Sequence, residues 1–209
     1  AEMKAVVEEA HRRNSPVTIH SRGSGSTRAA ARAGVDWILH ADLATEADLD
    51  VIAEAGIPIM PTLTSIVLGV ETGLDRGMDR QLHDILSRNV EKCGKILQKE
   101  REMGIKVLTG TDTGNGLAPH YGEDHAYELE LLVRYGGYSP MDAIVCATKN
   151  NALTVGLEND LGVIESGKLA DIIILNENPL ADIRCLRNGR AVTTIIKDGE
   201  LIDINGAGD

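Results

Sequence analysis

The opening residues, AEMKAVVEEAHRRN, place Met3, Val6, Val7 and Ala10 at helical spacing with charges between them. That pattern predicts an amphipathic helix, broken by Asn14-Ser15-Pro16. The sequence starts inside this helix, with no cap before it, so it is expected to be a piece of a longer protein cut between elements. The β-branched run Pro16 to His20 predicts a strand, and SRGSGST leads from it into a short helix, Thr27 to Gly34. A second strand is expected over Val35 to His40. The helix after it is capped by Thr45 and stopped by Gly56, and a third strand covers Ile57 to Leu63. Thr64 to about Asp75 shows no clear period and is expected to be irregular. Gln81 to Met103 is a long amphipathic helix ended by Gly104, and Ile105 to Asp112 is a fourth strand. Helices are expected around Ala126 to Tyr135 and over Ser139 to Leu157, the latter capped by Ser139 with Pro140 in its first turn.

Strands that alternate with helices form parallel βαβ units, so residues 1–157 read as an α/β unit. Four such strands make half of an eight-stranded barrel or a small open sheet. Residues 158–209 change character. LGVIESGKLADIIILNENPL and AVTTIIKDGELIDI alternate β-branched runs with turns, and Asp198-Gly199 is a two-residue hairpin signal, so a small β unit is expected there.

Composition narrows the function classes. Lys and Arg number 21 against 32 Asp and Glu in 209 residues, a net charge of −11, which argues against a nucleic-acid partner. Aromatic residues are 2% of the chain, one Trp and four Tyr, so the core must be aliphatic and base-stacking platforms are nearly absent. The three cysteines share no CxxC spacing, which fits a reducing, cytoplasmic setting. No run approaches the ~18 apolar residues a membrane span needs.

The candidate chemistry stands at strand ends. The first strand ends at His20, the second at His40, and the fourth at Asp112 inside GTDTG. Parallel α/β folds bind ligands at the carboxyl ends of their strands, so these three side chains are expected at one mouth. A lone strand-end histidine is more often a hydrogen-bonded structural residue; two at matched ends, with an aspartate, favour a metal site. Neutral imidazoles with a carboxylate suit zinc or a similar divalent ion. Such an ion lowers the pKa of bound water towards ~7, and Asp112 beside it is the candidate catalytic proton carrier. Arg22 reads as an anion clamp for substrate or as a surface charge. His120, in the loop after the fourth strand, reads as a substrate contact or a plain loop residue. Gly23 to Thr27 allows a phosphate nest, although helix capping explains it more cheaply and no P-loop spacing is present.

The stretches PVTIHSRG, TRAAARAGVDWILHA, GIPIMPTL and GTDTG, with the tail LGVIESGKLADIIILNENPLADI followed by IIKDGELI, carry a family resemblance. The chain resembles the C-terminal half of the metal-dependent amidohydrolase superfamily, nearest its imidazolonepropionase-like and prolidase-like branch, over essentially all its length. The resemblance implies an α/β fold made of the second half of a (β/α)8 TIM-type barrel, strands five to eight, followed by part of a small β-sandwich. His20 then matches the metal ligand ending strand five, His40 the one ending strand six, and Asp112 the strand-eight aspartate that touches metal and moves protons. The implied reaction is hydrolysis of an amide, cyclic amide or related C–N bond by metal-activated water, on a small-molecule amide or dipeptide-like substrate. The implied cofactor is a divalent metal, zinc first, as one or two ions in the full-length protein. The family's strand-one His-x-His and strand-four Lys have no counterpart here. Arg22 stands where many relatives carry a second His or a Tyr, which points to a polar or anionic substrate. A half barrel leaves sheet edges unpaired, so a homo-oligomer is expected. The alternative reading is a non-catalytic half-barrel module that pairs with itself or with a partner chain.

Overall fold

The computed structural model describes residues 1–118, 124–187, 189 and 191–203. Helix α1 (Glu2–Arg12) is followed by β1 (Thr18–Gly23), α2 (Ser26–Ala33), β2 (Trp37–Leu43), α3 (Glu46–Ala55) and β3 (Ile59–Met60). Then come α4 (Leu63–Thr72), α5 (Arg80–Glu102), α6 (His125–Gly136) and α7 (Pro140–Val145). A π-turn over Cys146–Asn150 and a 3-10 turn over Asn151–Val155 extend α7. Strands β4 (Ile172–Leu175), β5 (Val192–Lys197) and β6 (Glu200–Ile202) close the described chain. Among the described residues no helix is long and apolar enough to cross a membrane.

The fold is mixed α/β, and the described residues form two separate three-stranded sheets, neither of them closed. The first is parallel in the order β1-β2-β3, with Ile19 opposite Ile38 and Ile38 opposite Ile59. The alternation of strands and helices requires this, because parallel neighbours need a crossover helix between them. Strand β2 opens with Trp37, the one tryptophan of the chain, and its far end carries an extra residue relative to β1. Ser21 lies opposite His40 and Gly23 opposite Leu43, which bends the strand there. The second sheet is antiparallel, β4-β5-β6. Its last hairpin turns through Asp198 (φ 52) and Gly199 (φ 83), the conformation expected of that dipeptide.

Local signals explain most of the boundaries. Thr45 and Asp48 form a capping box at the start of α3, and Gly56 ends it in the left-handed conformation. Asp79 caps α5 through the backbone N–H groups of Gln81 and Leu82. Three expectations need correction. The stretch after Leu63, expected to be irregular, is helix α4; Leu63, Thr64, Ser65, Ile66 and Val67 are all buried, so no polar face marks it in the sequence. The third strand is only Ile59–Met60, because Thr62 already turns the chain into that helix.

The expected fourth strand, Ile105 to Asp112, makes a single parallel bridge, Val107 to Ile59. Its inner side bonds β3 through Ile59 N–H to Lys106 O at 3.0 Å and Leu108 N–H to Ile59 O at 2.8 Å. Its outer side is taken by two side-chain amides. Asn150 Nδ2 donates to Val107 O at 2.9 Å, Thr109 N–H donates to Asn151 Oδ1 at 2.8 Å, and Asn151 Nδ2 returns to Thr109 O at 2.9 Å. The pair therefore supplies hydrogen bonds that a further strand would otherwise make, and the expectation of an unpaired edge does not hold there.

One core packs the sheet against α1, α2 and α3 around Ile38, Leu49, Ile52 and Ile59. A second lies among α4, α5, α6 and α7 around Leu63, Leu97, Tyr127, Leu131 and Leu132. Glu128, wholly buried on α6, ties that helix to the first turn of α4, just beyond β3. It accepts from Leu63 N–H at 2.9 Å, Thr64 N–H at 2.8 Å and Thr64 Oγ1 at 2.7 Å. Burial pushes its carboxyl up to about 7 against the pull of these donors. Replacing Glu128 by Ala strands three buried donors, and urea unfolding should show a loss of roughly 2–4 kcal/mol. Glu128→Gln, which keeps one acceptor oxygen, should lose less.

Candidate functional site

The carboxyl ends of β1, β2, β3 and the 105–112 segment gather the candidate residues. His20 Nδ1 lies 2.8 Å from His40 Nε2, with the two ring centroids 4.9 Å apart. His40 Nδ1 is in turn 2.6 Å from Thr62 Oγ1. Arg22 Nη1 donates to Asp42 Oδ2, and Arg22 Nη2 stands 3.8 Å from Asp112 Oδ2. The site thus has two adjoining parts, an imidazole pair and a guanidinium between two carboxylates.

Backbone geometry sets these side chains. His40 (φ 76), Ala41 (φ 56), Thr62 (φ 56) and Asp112 (φ 49) all sit in the left-handed region. Such angles are uncommon for residues other than glycine and cost of order 1–3 kcal/mol each where sidechains are constrained. They occur at the bulge within β2, just beyond β3 and at the end of the 105–112 segment, and at β2 the extra residue lets His40 and Asp42 both enter the site. Beyond Asp112, the Asn115 side chain holds the loop. Its Oδ1 accepts from Leu117 N–H at 2.7 Å and Ala118 N–H at 3.2 Å, while Nδ2 donates to Asp112 O and to Ser65 Oγ at 3.2 Å.

The electrostatics follow from burial. His40 is lowered to about 4, by burial first and then by the charges of Arg22 and His20, so it is neutral near pH 7. Burial raises the carboxyl of Asp42, and the Arg22 guanidinium opposes that rise. Behind it on α5, burial and then the Asp42 charge push the Cys93 thiol up to about 12 and the Glu100 carboxyl up to about 8. Cys93 is therefore an inert core thiol, and Glu100 is carried as a neutral acid at neutral pH.

The structure brings His20, His40, Arg22 and Asp112 to one end of the sheet, as expected. It does not join Asp112 to the imidazoles: among the described residues no three of His, Cys, Asp and Glu lie close enough to hold a metal together. The Asp112 carboxylate faces Arg22, whose positive charge attracts it. His120 lies outside the described residues. The phosphate-nest idea for Gly23 to Thr27 loses its donors. Ser26 Oγ and Thr27 Oγ1 both donate to Gly23 O, at 2.9 and 2.7 Å, and the buried Asp48 carboxylate faces Gly25 N–H at 3.5 Å. Sequence reasoning missed Asp42 and Thr62. Asp42 stands two residues beyond His40 along the same strand, a usable signal; Thr62 depends on a backbone angle that no residue pattern announces.

The imidazole pair fits a divalent ion. The two rings turn one nitrogen each towards the other, a contact closed by an N–H hydrogen bond from one ring to the other or by a cation between them. In the metal-free protein the depressed His40 has a sign that can be checked. Its unfolded value is 6.5 and its folded value about 4, so the unfolded chain binds the extra proton between them. The stability this group carries is full above pH 6.5 and is lost as pH falls towards 4, by roughly 3 kcal/mol. Urea unfolding from pH 7 to 4 should show that slope in the wild type, and His40→Gln should lack it.

Comparison with known proteins follows the same lines. The amidohydrolase family model matches residues 1–202. Ochratoxinase of Aspergillus niger is 34% identical over 208 residues, covering 99% of this chain and 42% of that protein. Imidazolonepropionase of Symbiobacterium thermophilum is 33% identical over 101 residues, 48% of this chain and 23% of that protein. A solved Xaa-Pro dipeptidase with methionine bound in its active site superposes with a TM-score of 0.83 at 31% identity, covering 96% of this chain and 48% of its own. The crystal structure of A. niger ochratoxinase gives 0.81 at 34% identity, covering 96% of this chain and 44% of its own. The chain spans less than half the length of these relatives. With the family model matched over nearly all of its residues and the strand-end site in place, the chain belongs to the amidohydrolase family.

Proposed function

We propose that this chain is part of a metal-dependent hydrolase that cleaves an amide, cyclic amide or related C–N bond in a small molecule. The observation that carries the reading is the facing pair, His20 Nδ1 and His40 Nε2, at the carboxyl end of a parallel sheet in an amidohydrolase. These two nitrogens would hold a divalent metal, zinc first, with Asp112 as the third proposed ligand. Such an ion supplies Lewis acidity and a nucleophile at neutral pH.

This chain's own residues do the rest. Asp112 accepts the proton of the attacking water and returns it to the leaving nitrogen, a role its partly exposed carboxylate at the mouth allows. Arg22, anchored through Nη1 on the buried Asp42, presents its remaining N–H groups to an anionic group of the substrate. His120 remains a proposed substrate contact from the sequence alone, as a histidine shortly after Asp112. The relatives support an amide or dipeptide-like substrate: one is a Xaa-Pro dipeptidase that holds methionine in its active site. Residues 1–157 are read as strands five to eight of a TIM-type barrel and residues 158–209 as a β-sandwich portion. The exposed Ile173 and Ile202, which share one face of the second sheet through Ile195, favour a homo-oligomer or further chain over that face. The cysteines, with Cys93 and Cys146 buried and free, fit a cytoplasmic enzyme.

The first test is metal content by plasma mass spectrometry. About one metal per purified chain is expected, lost in the His20→Ala/His40→Ala double variant. No metal in either protein means that the site is incomplete in this chain and moves the test to the full-length protein. In the full-length enzyme, Asp112→Asn should lower kcat on dipeptides or cyclic amides by ~10² or more, and unchanged turnover removes Asp112 from the chemistry. Arg22→Ala should raise KM for carboxylate-bearing substrates by about tenfold and leave neutral ones little affected.

A further inference from the structure

The imidazole pair is held from behind by a residue the proposed chemistry does not use. Thr62 Oγ1 lies 2.6 Å from His40 Nδ1, and both residues are buried. Thr62, two residues beyond β3 and directly before α4, has φ 56. A β-branched residue in the left-handed region is an outlier, and it persists only where its surroundings fix it. Here the fixing group is Glu128 on α6. Its carboxylate takes the N–H groups of Leu63 and Thr64 and the Thr64 hydroxyl, at 2.9, 2.8 and 2.7 Å. These are the two residues directly after Thr62, so α4 is pinned from its first turn and the strained residue cannot relax into it.

We propose that Thr62 is a positioning residue that fixes which ring nitrogen His40 turns to His20, and that Glu128 holds Thr62 in the conformation this requires. The inference deepens the metal-site reading and rests on it for the metal alone; the ring geometry stands without it. With Nδ1 engaged by Thr62, Nε2 is the nitrogen left facing His20 Nδ1. An imidazole that offers Nε2 to a cation carries its proton on Nδ1, and Thr62 Oγ1 is the acceptor for that N–H. The contact removes the ring flip before a metal arrives, and the Nδ1–H tautomer is the one in which the Thr62 hydroxyl accepts rather than donates.

The test is a long-range 1H–15N correlation of the histidine rings in the metal-free chain near pH 7.5, paired with a zinc titration. The wild type should show His40 in one ring tautomer. Thr62→Ser keeps the hydroxyl and should keep that pattern; Thr62→Val keeps the shape without the oxygen and should mix or move the ring proton. Thr62→Gly adopts the same φ without strain and also lacks the hydroxyl, so it should repeat the valine result even where valine fails to fold. Zinc affinity should fall ~10–100-fold in Thr62→Val and Thr62→Gly, while Thr62→Ser stays near the wild type. Glu128→Gln should shift the His40 ring pattern part of the way. Ring signals in Thr62→Val or Thr62→Gly identical to the wild type overturn the proposal, and an unchanged pattern in Glu128→Gln overturns the part given to Glu128. A ring pattern that follows the hydroxyl in a wild-type chain that binds no zinc supports the positioning role and removes the metal reading instead.

Discussion

A parallel strand that feeds a helix must leave its sheet within a residue or two, and the direction of that exit decides where its last side chain points. Here the exits run through left-handed backbone at His40 and Ala41, at Thr62 and at Asp112. Each exit is unfavourable on its own, by of order 1–3 kcal/mol. They are sustained by the aliphatic packing beneath them, where Ile38, Leu49 and Ile59 are fully buried, and by polar ties such as those of Glu128 and Asn115. The strand ends can therefore be strained because the layer below is not. The site's geometry is a product of that packing as much as of the residues that line it.

Charge is handled by the same division between a buried floor and an open mouth. Asp42 and Glu100 are both buried carboxyls close enough to feel one another. Among the described residues only one of them has a cation to face: Arg22 pairs with Asp42, while Glu100 is pushed up to about 8 and stays protonated. A lone buried negative charge is thereby avoided in the floor, and the Arg22 guanidinium is fixed at the rim between Asp42 and Asp112. An acidic chain thus concentrates one positive group where the site opens.

Much of this was legible in the residues. His20, His40 and Asp112 could be placed at one end of the sheet because strand-like runs are legible on both sides of the unread stretch after Leu63, and a parallel sheet brings its strand ends to one side. What failed to show has a common cause. Helix α4 is buried on most of its faces, so it lacks the polar stripe that marks α1 and α5. The short fourth segment kept its strand-like composition, but its outer hydrogen bonds go to Asn150 and Asn151, forty residues further along. Thr62 and Asp42 act through a backbone angle and a bulge, which are settled by the assembled sheet rather than by neighbours in the sequence.

The scarcity of aromatic residues leaves one spectroscopic gift. Trp37 is the chain's sole tryptophan, and it lies nearly buried at the start of β2, three residues before His40 on the same strand. Ultraviolet emission from this chain excited at the indole band therefore comes from a single place, on the strand that leads to the imidazole pair. Quenching or a change of wavelength on adding an ion or a small molecule reports directly on that strand, with no label and no background from a second indole.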